Sequence, residues 1–172
     1  MNPTDIKDIE TDIQKCKAAI RKLKAESVNY VSFLPSGKLE VLDKEALAAI
    51  NAEAARLAAL VEHNGDVLRR LVAALEGFDS IKAVRERAGK ARETIRKSHT
   101  IYRLDLANHL KNHTELGRPV DLDSDPVALK LKATRDEALS TNGPELARLE
   151  KISEKARAII AEVRLSGLPD AL

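Results

Sequence analysis

The chain is 172 residues long, enough for one domain or one long body with a short appendage, and its formal net charge is only +2. That balance gives no argument of its own for nucleic acid. Two Tyr, two Phe and no Trp leave little with which to stack bases or a flat ligand. A hydrophobic share of 44% with 33% charged residues is that of a folded, helix-rich chain. No apolar run approaches the roughly 18 residues that span a bilayer. Met1-Asn2-Pro3-Thr4-Asp5-Ile6-Lys7 lacks the apolar core of a secretory leader. Cys16 is the single cysteine and has no partner for an internal disulfide, which fits a reducing compartment. These features lead us to expect a cytoplasmic protein, or one inside a particle assembled in the cytoplasm, that is neither secreted nor membrane-spanning.

The first helix is expected to start at Asn2 or Thr4, with Asp5 and Asp8 near the positive end of its dipole. Ile6, Ile9, Ile13, Cys16, Ile20, Leu23 and Ser27 follow a heptad rhythm along it, and Cys16 reads as a small buried hydrophobe. The period then changes. Val28 to Leu34 is rich in β-branched and aromatic residues, Pro35-Ser36-Gly37-Lys38 is turn chemistry, and Leu39-Glu40-Val41-Leu42 alternates. This reads as a short β-hairpin over about residues 29–42, with Tyr30, Phe33, Leu39 and Val41 as partner-binding candidates. The alternative is a first helix that runs on to Leu34 and then a loop, since Tyr30 and Leu34 also keep the heptad. An isolated two-stranded hairpin is marginal in water, so it must lie on the helices or be completed by a partner.

Asp43 caps a second helix whose stripe is Leu47, Ile50, Ala54, Leu57, Val61, Asn64, Leu68, Leu71 and Leu75, about 50 Å of helix at 1.5 Å per residue. Gly65 predicts a kink or local break, and Asn64 reads as a register-fixing polar residue of a coiled-coil-like seam. Gly77 ends this helix with a left-handed residue. The short link to Ser80 predicts an antiparallel third helix from about Ser80 to Leu116. Its stripe is Ile81, Val84, Ala88, Ala91, Ile95, Ser98 and Tyr102, and Ala88, Gly89 and Ala91 would admit a neighbour closely. After Ile101 the rhythm blurs through Leu104, Leu106 and Leu110, and Gly117 and Pro119 end the helix. Asp125-Pro126 then opens a fourth helix to Ser140. Asn142-Gly143-Pro144-Glu145 has a capping-box pattern and predicts a fifth helix, carrying Leu146, Leu149, Ile152, Ala156, Ile159, Ile160 and Val163, which stops at Gly167 before Pro169.

Three constellations bear on chemistry. Lys82, Arg85, Arg92, Arg96 and Arg103, with His99, fall at helical steps and form a basic ridge able to neutralise phosphates. No aromatic interleaves with it, and flanking charges on long helices commonly pair with neighbours. His109 and His113 share a helix face with Glu115 nearby, a spacing at which two imidazoles can share a metal. A usable site needs a third ligand from elsewhere, so no metal is assigned. Asp121, Asp123 and Asp125 match the start of a calcium loop, but Pro126 and Lys132 stand where such a loop needs Gly and a carboxylate. Phosphate loops, nucleophile elbows and cysteine zinc spacings are absent, so no catalytic residue and no cofactor is assigned.

The sequence therefore predicts an all-α, elongated antiparallel helical bundle with coiled-coil-like stripes. Residues 1–117 form three long helices with the hairpin inserted, and residues 118–172 a linker and a C-terminal helical pair packing on the bundle. The expected function is non-enzymatic and structural: assembly with other protein chains as a homo- or hetero-oligomer through helix packing. The expected setting is a subunit of a large particle such as a bacteriophage virion. Two alternatives stand beside it: a nucleic-acid-binding or packaging protein using the basic ridge, and a small regulatory adaptor.

Overall fold

The computed structural model describes residues 6–164. The expected start of the first helix at Asn2 or Thr4, and the expected stop of the fifth at Gly167, lie outside them. The fold is predominantly α. Four helices, α1 (Ile6–Ser27), α2 (Lys44–Ala74), α3 (Ile81–Glu115) and α4 (Pro126–Ile160), account for most of it, with a two-stranded hairpin between the first two. A 3-10 turn at Val28–Tyr30 leads into β1 (Val31–Phe33), which pairs antiparallel with β2 (Leu39–Val41). None of these helices is long and apolar enough to cross a membrane.

The chain forms two compact units, one of residues 1–80 and 155–172 and one of residues 81–154. They divide after Ser80 and after Glu154, whereas the sequence reading placed its boundary at Gly117.

In the first unit α1 and α2 pack side by side. Cys16 and Ala19 bury against Leu57 and Leu60, with Ile20, Leu23 and Val61 packed onto them. Ile9, Ile13, Val67, Leu71, Ala74 and Leu75 are also buried in this unit. Each Leu, Ile or Val side chain buried in this way contributes about 1.5–3 kcal/mol. Cys16 is only 1% exposed, as its place in the stripe predicted, and burial first, then neighbouring Asp12, pushes its thiol pKa up. It is a packing residue in its neutral form. On α2 the expected stripe is right at Leu57, Asn64, Leu71 and Leu75, but Val61 and Leu68 are only half-buried while Leu60 and Val67 are buried fully. The stripe is wider than a heptad seam and leans to one side of it.

Two α2 expectations need correcting. Helical structure runs unbroken through Asn64-Gly65, because the packed residues on either side, Leu60 and Val67, outweigh glycine's modest helix cost. Asn64 is 1% exposed, and its partner is backbone. Its Nδ2 donates to the Arg164 carbonyl and its Oδ1 accepts the Arg164 N–H, both at 3.1 Å. The amide thus reads the chain beyond α4 as a neighbouring strand would. Arg70 adds a two-pronged contact to Glu162, at 2.6 and 2.9 Å, and His63 Nε2 lies 2.8 Å from the Glu162 carbonyl.

The helix ends follow their caps. The Asp43 carboxylate accepts the Ala46 N–H at the start of α2. After α2, Glu76 and Gly77 take positive φ of 50° and 90°. On α3, Ile81, Val84, Ala88 and Ala91 are buried, and Ile95, Ser98 and Tyr102 half-buried, as the stripe predicted. Gly89 gives no close approach, since a Cβ there would meet nothing within 4 Å.

The expected C-terminal pair is one helix. α4 passes through Asn142-Gly143-Pro144 without a break. Proline there removes a hydrogen bond to the Ser140 carbonyl, at a cost of about 3 kcal/mol when that group is buried. Ser140 and Pro144 are both exposed, so water meets the freed carbonyl. Proline also crowds the Cβ of the residue before it, and Gly143 has none. Asn142, expected as a cap, instead donates to the Ala138 carbonyl one turn back.

Candidate functional site

Three surfaces carry residues that the sequence singled out. The first is the hairpin. Its loop is Pro35-Ser36-Gly37: Gly37 N–H donates to the Leu34 carbonyl and Leu34 N–H to that of Lys38, both at 2.9 Å. Gly37 takes φ 76°, the left-handed residue that a three-residue hairpin loop needs. The register pairs Val31 with Val41, Ser32 with Glu40 and Phe33 with Leu39. Because side chains alternate across a strand, Val31, Phe33, Leu39 and Val41 share one face, with Ser32 and Glu40 on the other. That apolar face is largely uncovered: Phe33 is 78% and Leu39 60% exposed, and Val41 is exposed too. Val31 and Tyr30 are half-buried at the base, where the Tyr30 carbonyl accepts the Leu42 N–H.

The second is the basic ridge. Lys82, Arg85, Arg92, Arg96 and Arg103 are all exposed on α3. Carboxylates meet three of them. Arg92 donates to Glu150 at 2.6 Å, Arg96 makes a two-pronged contact with Glu93 at 2.8 and 2.9 Å, and Lys82 lies 3.9 Å from Glu86. Arg87 beside them pairs with Glu145 at 2.8 Å. Arg85 and Arg103 have no ion pair among the described residues.

The third lies where α3 turns into α4. Gly117, at φ 64°, lets Arg118 N–H reach back to the His113 carbonyl and Gly117 N–H to that of Thr114. This pair of bonds closes the helix and reverses the chain. Asp121 then organises the linker: its side chain accepts the Asp123 N–H and the Ser124 hydroxyl, and its carbonyl the Asp125 N–H. Asp125 caps α4 by accepting the Val127 and Ala128 N–H groups at 2.9 and 2.8 Å. The reversal also carries the Asp125 carboxylate to His109, with 3.0 Å between Oδ1 and Nε2. The His113 ring stands beside that of His109, their centroids 4.5 Å apart. The Ala128 N–H, chiefly, and then His109 hold the Asp125 carboxyl below its usual range against the opposing effect of burial.

Sequence reasoning paired His109 with His113, and set Asp125 apart from them as the opening of the fourth helix and the third aspartate of a failed calcium-loop match. The signal that could have joined them is the Gly117-to-Pro126 reversal, which the sequence shows but whose register it does not fix.

No family model, no curated protein and no solved structure matches this chain.

Proposed function

We propose that this protein is a non-enzymatic structural or assembly protein that binds other protein chains through the apolar face of its hairpin. The observation that carries this reading is the exposure of Phe33 and Leu39 on a strand pair whose other face is polar. An amphipathic hairpin gains its stability by covering its apolar face, and here that face meets water. Covering it with another chain supplies both the missing packing and partners for the open strand edges. A subunit of a larger particle, with a bacteriophage virion as one such setting, uses surfaces of this kind to join its neighbours. The nucleic-acid alternative draws less support, because the arginines at positions 92 and 96 are already engaged by carboxylates.

The test is absolute mass by light scattering after size exclusion, at low and high salt. A defined oligomer that persists in high salt, and reverts to monomer in a Phe33→Ser/Leu39→Ser double variant with unchanged helicity, supports apolar assembly through the hairpin. An oligomer indifferent to those substitutions, or a monomer throughout, rejects self-assembly by this face.

A further inference from the structure

We propose that His109, His113 and Asp125 form a binding site for one divalent transition-metal ion of the zinc class, and that this ion staples the end of α3 to the start of α4. One imidazole nitrogen from each histidine and one Asp125 oxygen lie within 4.8 Å of one another. A tetrahedral zinc ion held at about 2.0–2.2 Å sets its ligands roughly 3.3–3.6 Å apart. To reach that spacing the donors need to close by no more than about 1.5 Å.

The second observation is independent of spacing. His109 Nε2 and His113 Nδ1 are both buried from solvent, and neither has an aligned hydrogen-bond partner. Buried polar atoms ordinarily find a partner, and two orphans on rings 4.5 Å apart can take a shared one. No N–H···N bond joins the two rings through these atoms, since each stands without a partner. Asp125 sits 3.0 Å from His109 Nε2, off the line of an N–H···O bond, and even a realigned bond would leave His113 Nδ1 unmet. A cation accepts both lone pairs and the carboxylate together.

The donor chemistry selects the ion. Two nitrogens and one carboxylate suit zinc and its neighbours, whereas calcium takes 6–8 oxygen ligands and magnesium an octahedron of oxygens. A fourth position remains for water. The surroundings explain what such a staple would do. From Arg92 to Arg148, Ala128 alone is buried, so this stretch has little apolar packing to fix its turn. Where a core is thin, a metal can supply the missing constraint.

The experiment titrates the full chain, stripped with chelator, with Zn²⁺ by calorimetry and with Co²⁺ by visible absorption. We expect one ion per chain, a cobalt spectrum of tetrahedral intensity and a raised thermal midpoint on saturation. His109→Ala, His113→Ala and Asp125→Asn should each weaken binding at least tenfold. Imidazole ¹⁵N spectra of the unmutated chain keep the test open should a variant fail to fold. Zn²⁺ must move the resonances of His109 and His113 and leave His63 and His99 in place. No binding at millimolar Zn²⁺, shifts confined to His63 or His99, or undiminished affinity in a folded His109→Ala/His113→Ala chain would overturn the assignment.

Discussion

The seam between α1 and α2 and the far stretch of α3 and α4 are built from the same amino acids and held together by different means. In the seam, Ile9, Ile13, Cys16, Leu57 and Leu71 fall on facing stripes and bury almost completely. In the far stretch, Ile101, Leu104, Leu116, Leu122, Val127 and Leu129 are as apolar, yet all are exposed. The difference is phase. Ile101 and Leu104 leave the stripe of Ile95, Ser98 and Tyr102, so no single neighbour can cover them together. What joins the two helices there is polar or cationic: Arg135 over the Tyr102 ring at 4.6 Å, and Asp125 against His109 at 3.0 Å. Composition supplies the apolar atoms, but periodicity decides whether they become a core.

The largest expected effect tests that contrast directly. Leu57→Ala should cost about 2–5 kcal/mol, as buried leucine truncations do. Leu104→Ala, at an exposed site, should stay within about 0.5 kcal/mol. Urea unfolding of both variants measures the gap. A Leu104→Ala loss rivalling that of Leu57→Ala would show the far stretch to be packed after all.

The polar contacts differ as sharply. Asn64→Ala removes two part-buried hydrogen bonds to the backbone of a residue 100 positions away, at about 0.5–1.5 kcal/mol each a loss of about 1–3 kcal/mol. Asn142→Ala removes one bond to a carbonyl in its own helix, and should change stability by no more than about 0.5 kcal/mol. Hydrogen exchange adds a spatial readout: amides near Asn64 and Arg164 should lose protection in the first variant, with no counterpart in the second.

How far the sequence could be read follows the same line. The α1 and α3 stripes, the hairpin, the Asp43 and Asp125 caps and the Gly77 and Gly117 stops were legible because each rests on a local rule of spacing or cap chemistry. The flank of α2 was not. Leu57, Asn64 and Leu71 are common to two overlapping stripes, and tertiary packing chose Leu60 and Val67 over Val61 and Leu68. The break at Pro144 was misread because the rule for proline ignores exposure of the freed carbonyl and the missing Cβ of Gly143. Asp125 escaped notice as a companion of the histidines because nine residues of linker and turn separate it from α3, and turn geometry sets where they end.

Two glycines sharpen the comparison on a smaller scale. Gly65 is helical and a Cβ there meets nothing within 4 Å, so Gly65→Ala should stabilise the α2 side by about 1 kcal/mol. Gly117 has equal room but a φ of 64°, so Gly117→Ala should cost about 1–2 kcal/mol and loosen the α3–α4 turn. Thermal unfolding of the two variants should therefore move in opposite directions. A matching sign would mean that one of these backbone conformations is not the one the chain adopts.

The smallest effect is electrostatic, and its sign can be worked out. The Arg70 guanidinium, hydrogen-bonded to Glu162, holds that carboxyl below its usual range against the opposing effect of burial. A carboxyl depressed in the folded state contributes stability that is fully present above its unfolded pKa and is lost as pH falls through the folded value. An Arg70→Met chain should thus be less stable than the parent near neutrality, with the difference closing as the solution is acidified below about pH 4. Both side chains are exposed, so the difference should be small and should shrink in salt. Arg96→Met provides the matched control. Glu93 is depressed in the same direction by Arg96, but that pair lies three residues apart on one helix and joins nothing distant. If the Arg96 variant lost as much as the Arg70 variant, the tie from α2 to Glu162 would be no more than a surface ion pair. A larger loss at Arg70, accompanied by faster exchange at Arg164, would identify it as part of the clasp that Asn64 makes on the chain beyond α4.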